Sequence, residues 1–274
     1  MPESPEPAVA AAARVYDYLL GGTHNYAVDR EVAAQMLRAF PMAAVGARYN
    51  REFLRRLVRY LTGAGVRQFL DLGSGIPTAG NVHQIAQAEA PGARVVYVDY
   101  EPEAVQLGRE LLKGNDFATT LQADLRDPDS VYAAHEVREL LDFSQPVAVL
   151  LISVLHFVTD DTDAVDLVRR YLAPLPPGSY LALSHLTQAG GRIGALQEES
   201  SRVYNKTVSE SLAIRDRAQI GAFFTGLDLV EPGLVPLPDW RPVDPGYVPD
   251  EEDAPRQVGL CAVGRIPLDK VSDI

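Results

Sequence analysis

The stretch VRQFLDLGSG, Val66 to Gly75, joins a strand-length, mostly apolar run to an acid and two closely spaced glycines. An apolar run of this kind suits a central strand covered on both faces, and glycines let the backbone turn tightly at its end. Downstream, the same texture repeats. Strand-like runs Ala93–Asp99, Ala118–Gln122, Val147–Ser153 (VAVLLIS) and Ser179–Ser184 alternate with helical patterns at His83–Ala90, Pro102–Leu112, Val131–Leu141 and Thr162–Leu172. Further helical patterns lie between Ile193 and Phe224. Strands alternating with helices of this length predict a parallel sheet, and right-handed crossovers make it doubly wound. The last two runs, Leu227–Val230 and Val258–Val263, enclose Pro232, Pro236, Pro238, Pro242, Pro245, Pro249 and Pro255 and the acidic residues Asp250 to Asp253. No crossover helix fits there. These two runs are therefore expected to pair antiparallel through a long exposed connection, bringing the sheet to seven strands with an antiparallel last one.

Upstream, three helices are predicted: Ala8–Leu20, stopped by Gly21-Gly22; Asp29–Phe40, closed by Pro41; and Ala47–Leu61, with Phe53, Leu54, Leu57, Val58 and Leu61 on one face. Arg48, Arg51, Arg55 and Arg59 form a row on another face, read as solvated except for Arg48. Residues 1–62 are read as a helical cap and 63–274 as the sheet domain, together one unit. Polar residues and glycines gather at the first helix–loop boundary (Arg14, Tyr16, Asp17, Gly21, Gly22, His24 and Asn25), where a lid over a site is expected. The first seven residues are expected to fray.

Composition narrows the class. Among 274 residues, 47% are hydrophobic, enough for a substantial core. Against 37 Asp+Glu stand 25 Lys+Arg, so a net charge of −12 argues against a nucleic-acid partner. The one cysteine, Cys261, excludes an internal disulfide framework and a cysteine-rich zinc site, and a reducing cytoplasm is expected. No basic residue precedes the N-terminal alanine run, so no secretory leader is expected. The longest apolar stretch, Val147 to Val158, contains Ser153 and His156 and falls well short of the roughly 20 residues a membrane span needs.

In an open α/β sheet, ligands bind beyond the carboxyl ends of the strands. Gly73, Ser74 and Gly75 follow the first strand, whose end carries Asp71. Asp99 closes the second strand, near the spacing of an acid that accepts two ribose hydroxyls, and Asp124 follows the third, where a carboxylate suits an adenine amino group. Each acid alone is equally readable as a helix cap. Three at successive strand ends point to a nucleoside site. The dinucleotide fingerprint is not met, because Ile76-Pro77-Thr78-Ala79 displaces the third glycine to Gly80 and Pro77 removes an N–H donor. Asp71 beside the turn suits a positively charged ligand better than a pyrophosphate.

The DLGSG turn, VVYVDYEP, LQADLRD and the antiparallel last strand pair resemble the class I S-adenosylmethionine-dependent methyltransferases. ARVYDYLLGGTHNYAVDR, ARYNREFLRRLVRYL, FLDLGSGIPTAGNVH, LLISVLHFV and PGLVPLPDWRP resemble, more narrowly, an actinobacterial subfamily catalogued as a domain of unknown function, over Arg14 to Pro242. The resemblance implies a Rossmann-like α/β fold and S-adenosylmethionine as cofactor. It places Gly73 and Gly75 under the cofactor's amino-acid part, Asp71 near its ammonium, Asp99 on the ribose diol and Tyr100 flanking adenine. Asp124 and Leu125 would meet the adenine edge, and Ser153 would offer its backbone past the fourth strand. The Ile-Pro-Thr after Gly75 departs from the wider class and matches the narrower subfamily.

Methyl transfer needs a base only where the nucleophile must shed a proton. His156, just past the fourth strand, and His185, closing the fifth, are the candidates, each also readable as a packed core histidine. Arg48 and Asn50 are candidates for the methionyl carboxylate. No [DNS]-P-P-[YFW] follows the fourth strand, the cysteine is remote, and Ser-Val-Leu-His supplies no magnesium ligands. What remains is a metal-independent O- or N-methyltransferase of a small or medium-sized molecule. The alternatives are a non-catalytic S-adenosylmethionine or S-adenosylhomocysteine sensor and, disfavoured by the displaced glycine, a nicotinamide oxidoreductase.

Overall fold

A computed structural model describes residues 7–77, 80–208, 210–250 and 252–268. The expected fraying at residues 1–6, the middle of the loop at Thr78-Ala79 and part of the acidic cluster, Glu251, lie outside these. Three helices come first: α1 (Ala12–Leu19), α2 (Ala27–Ala39) and α3 (Ala43–Gly63). α1 starts later than its alanines suggest. Ala10 bridges to Val208, and the Ala11 N–H donates to Asp29 Oδ1 at 3.1 Å, which holds this backbone extended.

The alternating region then gives β1 (Gln68–Leu72), α4 (Val82–Glu89), β2 (Arg94–Asp99), α5 (Pro102–Leu111) and β3 (Ala118–Gln122). It continues with α6 (Pro128–Ala133), α7 (His135–Leu140), β4 (Ala148–Ile152), α8 (Asp161–Leu172) and β5 (Tyr180–Leu186). The helix expected over Val131–Leu141 is two short ones, broken where Ala134 turns extended at ψ 141°. After β5 come α9 (Gly191–Thr207), α10 (Arg217–Ala222), β6 (Asp228–Leu229), β7 (Val235–Pro236) and β8 (Gly259–Arg265).

The sheet order is β3-β2-β1-β4-β5-β8-β6, with β7 also paired to β8. β1 to β5 are parallel, and β8 runs antiparallel to β5, β6 and β7. The sheet therefore has eight strands, one more than expected, because the proline-rich connection returns to it at Val235-Pro236. Nor is that connection simply exposed. Trp240 is fully buried, edge-on to Phe53 (5.4 Å) and Tyr60 (5.6 Å), and Arg56 of α3 donates to the carbonyls of Leu237 and Trp240.

Two apolar cores flank the sheet. One joins Leu70, Val96, Val98, Val149 and Leu151 to Leu167, Val168 and Tyr171 of α8; the other joins Phe69, Val95, Ala148 and Leu150 to Phe53, Leu57 and Leu61 of α3. These cores fix the strands, so that the reversal between β1 and β4 brings the carboxyl ends into one crevice. A third cluster (Val15, Val32, Ala33, Tyr204 and Val208) seats α1 and α2 on α9. No helix among the described residues is long and apolar enough to cross a membrane.

Candidate active site

At the carboxyl end of β1 the chain turns through Gly73 (φ 68°) and Gly75 (φ 65°). A Cβ on Gly73 would lie 2.2 Å from Val154 Cγ2, so only glycine lets this turn close against the loop after β4. A Cβ on Gly75 would meet no protein atom within 4 Å, so this glycine's backbone faces open space. α4 begins only at Val82, capped by Asn81 and Gln84, so no helix N-terminus directly follows the glycines as a pyrophosphate site would need.

A cavity of about 290 Å³ lies over these strand ends. Asp71, Gly73, Ser74, Gly75, Asp99, Tyr100, Asp124, Leu125 and Ser153 all line it, as do His156, His185 and Asn50. Asp99 accepts from the Gly75 N–H through Oδ2 (2.7 Å) and the Glu101 N–H through Oδ1 (2.9 Å), fixing the glycine turn to the end of β2. Burial raises its carboxyl above the ordinary range. Asp124 is half-exposed and chelated by Arg126 (2.6 Å). Tyr100 donates to Glu210 from across the crevice. Ser153 holds the left-handed conformation (φ 53°), rare for a non-glycine, with its N–H donated to Ser184 Oγ at 2.9 Å.

Asp71 is buried, and its carboxyl is pushed up to about 7. Burial is the largest cause; Arg51 opposes it and Asp99 adds to it. The charged form thus lacks solvent at a place where a cation would restore its stability.

Helix α1 closes the crevice from above. Arg14, buried, pairs with Asp29 (2.8 Å), Glu101 (3.0 Å) and Glu103 (3.5 Å), tying α1 and α2 to the turn after β2. A second tie is a buried chain of hydrogen bonds. Ser184 Oγ donates to Asn50 Oδ1 (2.6 Å), Asn50 Nδ2 donates to Tyr16 Oη (2.9 Å), and Tyr16 donates to the Ala47 carbonyl (3.2 Å). Asp17 lines the cavity with Oδ2 accepting from the His24 N–H and Asn25 Nδ2. Gly22 packs against this carboxylate so closely that a Cβ there would lie 2.0 Å from Asp17 Oδ1.

Three expectations need correction. Arg48 does not reach the cavity: on α3 the residues facing it are Ala43, Gly46, Ala47, Asn50, Arg51 and Leu54, whereas Arg48 is exposed with Glu52, Arg55 and Arg59. Arg51 is the cation that α3 brings to the strand ends, its Nη2 donating to Asn81 Oδ1 at 3.2 Å. Asn50 reaches the cavity but engages both ends of its amide in the chain just described, so it positions α1 and α3. His185 is no base. Both its ring nitrogens are engaged: Nδ1 bonds the Leu186 carbonyl (2.7 Å) and Nε2 receives Arg215 Nη1 (2.9 Å).

His156 differs. It sits in the 3₁₀ turn Leu155–Phe157, buried 5.6 Å from the His185 ring, and its Nδ1 has no protein partner. Burial holds it well below the usual imidazole range, with His185 and Arg215 adding to the effect, so it is a neutral acceptor near pH 7. Sequence reading missed Arg215. This fully buried guanidinium binds the carbonyls of Leu155 (3.2 Å) and Val158 (2.6 Å) and Asp161 (2.8 Å), and so braces the loop that carries His156. It also missed Tyr204 and Glu210, which line the cavity from α9 and the segment beyond it.

A doubly wound sheet with glycines after its first strand, acids at three successive strand ends and no helix directly behind the glycines fits the Rossmann-like methyltransferases that the motifs resemble. The chain belongs to the S-adenosyl methyltransferase family, whose pattern it matches over residues 3–267. It is an S-adenosylmethionine-dependent methyltransferase, with S-adenosylmethionine as its cofactor. A putative methyltransferase from Thermobifida fusca YX is 39% identical, with a TM-score of 0.89 over 96% of this chain and 97% of that one. A DUF574 family protein from Streptomyces avermitilis MA-4680 is 41% identical, with a TM-score of 0.87 over 94% and 98%. An O-methyltransferase family protein from Burkholderia thailandensis shares the fold alone, at 16% identity and a TM-score of 0.53 over 89% of this chain and 60% of that one. No curated protein matches.

Proposed function

We propose that this enzyme methylates an oxygen or nitrogen of a small or medium-sized acceptor, without a metal, inside the cavity under α1. One observation carries the reading: a single cavity joins the acids and glycines of the strand ends to an apolar compartment bounded by α1, α2, α3 and α9, with His156 on its wall. S-adenosylmethionine supplies a methyl group already activated on a sulfonium. The protein's part is then alignment and exclusion of water. Asp99 and the Gly73–Gly75 backbone hold the ribose and amino-acid parts, Tyr100, Asp124 and Leu125 hold adenine, and Asp71 and Ser153 take the ammonium. Arg51, in place of Arg48, serves the methionyl carboxylate. His156 accepts a proton from the nucleophile through Nδ1. Residues 1–62 act as the cap, with α1 as the lid, and the acceptor enters beneath it.

The ionisation of Asp71 gives the test. In the free protein its carboxyl stands at about 7, so the stability it contributes is present at acid pH and lost as pH rises through that value. A ligand ammonium favours the charged form, so binding below pH 7 must expel a proton. The Kd for S-adenosylhomocysteine, measured by calorimetry, should therefore rise by up to about tenfold per unit as pH falls from 7 to 5.5. Asp71→Asn should flatten the profile, and NAD should give no heat. A flat profile in the unaltered protein would remove Asp71 from the cofactor site.

A further inference from the structure

Away from the strand ends the cavity changes character. The walls it takes from α2, from the start of α3 and from the segment before β8 include Met36, Phe40, Ala43, Gly46, Leu237 and Val258, none of which carries a charge. The acids and arginines that line the cavity among the described residues stand at the strand ends, on α1 (Asp17) or against Tyr100 (Glu210). On α9, Gln197 engages both ends of its amide, with the Ala189 N–H (3.1 Å) and the Thr187 carbonyl (2.8 Å), and Ser200 donates to the Met36 carbonyl (3.4 Å). A charged group seated in this compartment would lose its water without a counter-charge in return.

Gly46 stands out among these residues. It lies in the first turns of α3, and glycine is among the least favourable residues in a helix. No contact demands it: beyond its own helix and chain neighbours, a Cβ there would meet only Val258 Cγ2, at 4.0 Å. Gly22 and Gly73, by contrast, would drive a Cβ into Asp17 and Val154. Protein interiors leave few voids larger than a water, so the open face over Gly46 is room for a ligand to rest on the helix backbone. Its place suits the reaction. Asn50, which faces the same cavity, follows Gly46 by four residues, about 6 Å along the helix. Asn50 Oδ1 accepts from Ser184 Oγ (2.6 Å), and that oxygen accepts from the Ser153 N–H (2.9 Å) past the end of β4. The apolar compartment therefore opens about one helical turn beyond the strand ends that make up the proposed cofactor site.

Building on the methyltransferase reading, we propose that the acceptor is an uncharged, apolar molecule seated against the backbone of Gly46, between α2 and the side chains of Leu237 and Val258. Such walls bind by taking hydrocarbon surface out of water, and a charged analogue of the same skeleton pays its desolvation with nothing to offset it. Gly46 then sets how much of the compartment the acceptor fills. A side chain at this position would occupy the acceptor's place without reaching the strand ends. Alanine would improve the helix while obstructing the site, an opposition of stability and function expected where a residue serves a ligand rather than the fold.

The test uses the full chain saturated with S-adenosylhomocysteine and three probes of one skeleton: neutral 2-naphthol, anionic 2-naphthoate and cationic 2-naphthylmethylamine. Calorimetry near neutral pH should show 2-naphthol binding about tenfold or more tighter than either charged probe. Gly46→Leu should weaken 2-naphthol by about tenfold or more and Gly46→Ala by about threefold, each leaving the Kd for S-adenosylhomocysteine within about threefold. Gly46→Ala should melt no lower than the unaltered protein, which separates a blocked site from a damaged fold. Should the leucine variant not fold, the alanine variant decides alone. Absence of 2-naphthol binding, equal binding of a charged probe, or unchanged 2-naphthol affinity in the folded variants would overturn the proposal. So would a loss of S-adenosylhomocysteine affinity in either variant, which would put Gly46 against the cofactor instead. Failure of the unaltered protein to bind S-adenosylhomocysteine would count against the underlying cofactor site and would be seen before any probe is added.

Discussion

Replacing Asp99 with alanine is expected to raise the Kd for S-adenosylhomocysteine by about a hundredfold or more, the protein remaining folded. The estimate comes from hydrogen bonds to a charged acceptor, worth roughly 1.5–3 kcal/mol each, with the two ribose hydroxyls as donors. A second loss adds to it. Asp99 is also the acceptor for the N–H groups of Gly75 and Glu101, so alanine loosens the turn that cradles the cofactor. Both amides belong to partly buried residues that line the cavity, where water can replace the missing oxygen, and for this reason the fold survives. Asp99→Asn separates the two effects, because its remaining oxygen still accepts from Gly75. Calorimetry on both variants reads the result; an unchanged Kd in Asp99→Ala would reduce Asp99 to a brace for the loop.

The second large effect lies away from the cofactor. Arg215→Met should destabilise the protein by about 3–5 kcal/mol, because the substitution strands the buried carbonyls of Leu155 and Val158 and His185 Nε2 at once. At roughly 2–4 °C per kcal/mol, the melting temperature falls by about 6–20 °C. Molecules that still fold lose turnover as well, since the loop freed by this change carries His156. The ion pair to Asp161 is a minor part, its carboxylate being 54% exposed. A melting temperature within about 2 °C of the unaltered protein would mean that the 3₁₀ turn holds itself.

The strand ends were legible because two local signals coincide there. Apolar runs mark central strands, and the acid or glycine that closes each one marks the edge where ligands bind. Asp71, Gly73, Gly75, Asp99 and Asp124 were each found from position alone, and all line the one cavity. What escaped depends on contacts between distant parts of the chain. Trp240 lies among prolines with no periodicity, and only its packing on Phe53 and Tyr60 makes its segment part of the core. Arg215 sits in ESLAIRDRAQ, where nothing distinguishes a buried guanidinium from a solvated one.

Arg51 is the exception, since its signal was present and passed over. It falls on the same helical face as Ala47 and Leu54, four and three residues away, whereas Arg48 lies with the exposed row. His185 was misread for a different reason. A histidine at a strand's carboxyl end looks the same in sequence whether its ring is free or held at both nitrogens, and the partner that holds it is thirty residues further on.

A crystal structure with S-adenosylhomocysteine bound tests the central claim most directly. The nucleoside should lie between Asp99 and Asp124, with the sulfur turned toward the compartment that contains His156 and α1 closed over it. A ligand bound elsewhere, or an adenosyl group whose hydroxyls leave Asp99 untouched, would contradict the assignment of this crevice as the methyl-transfer site.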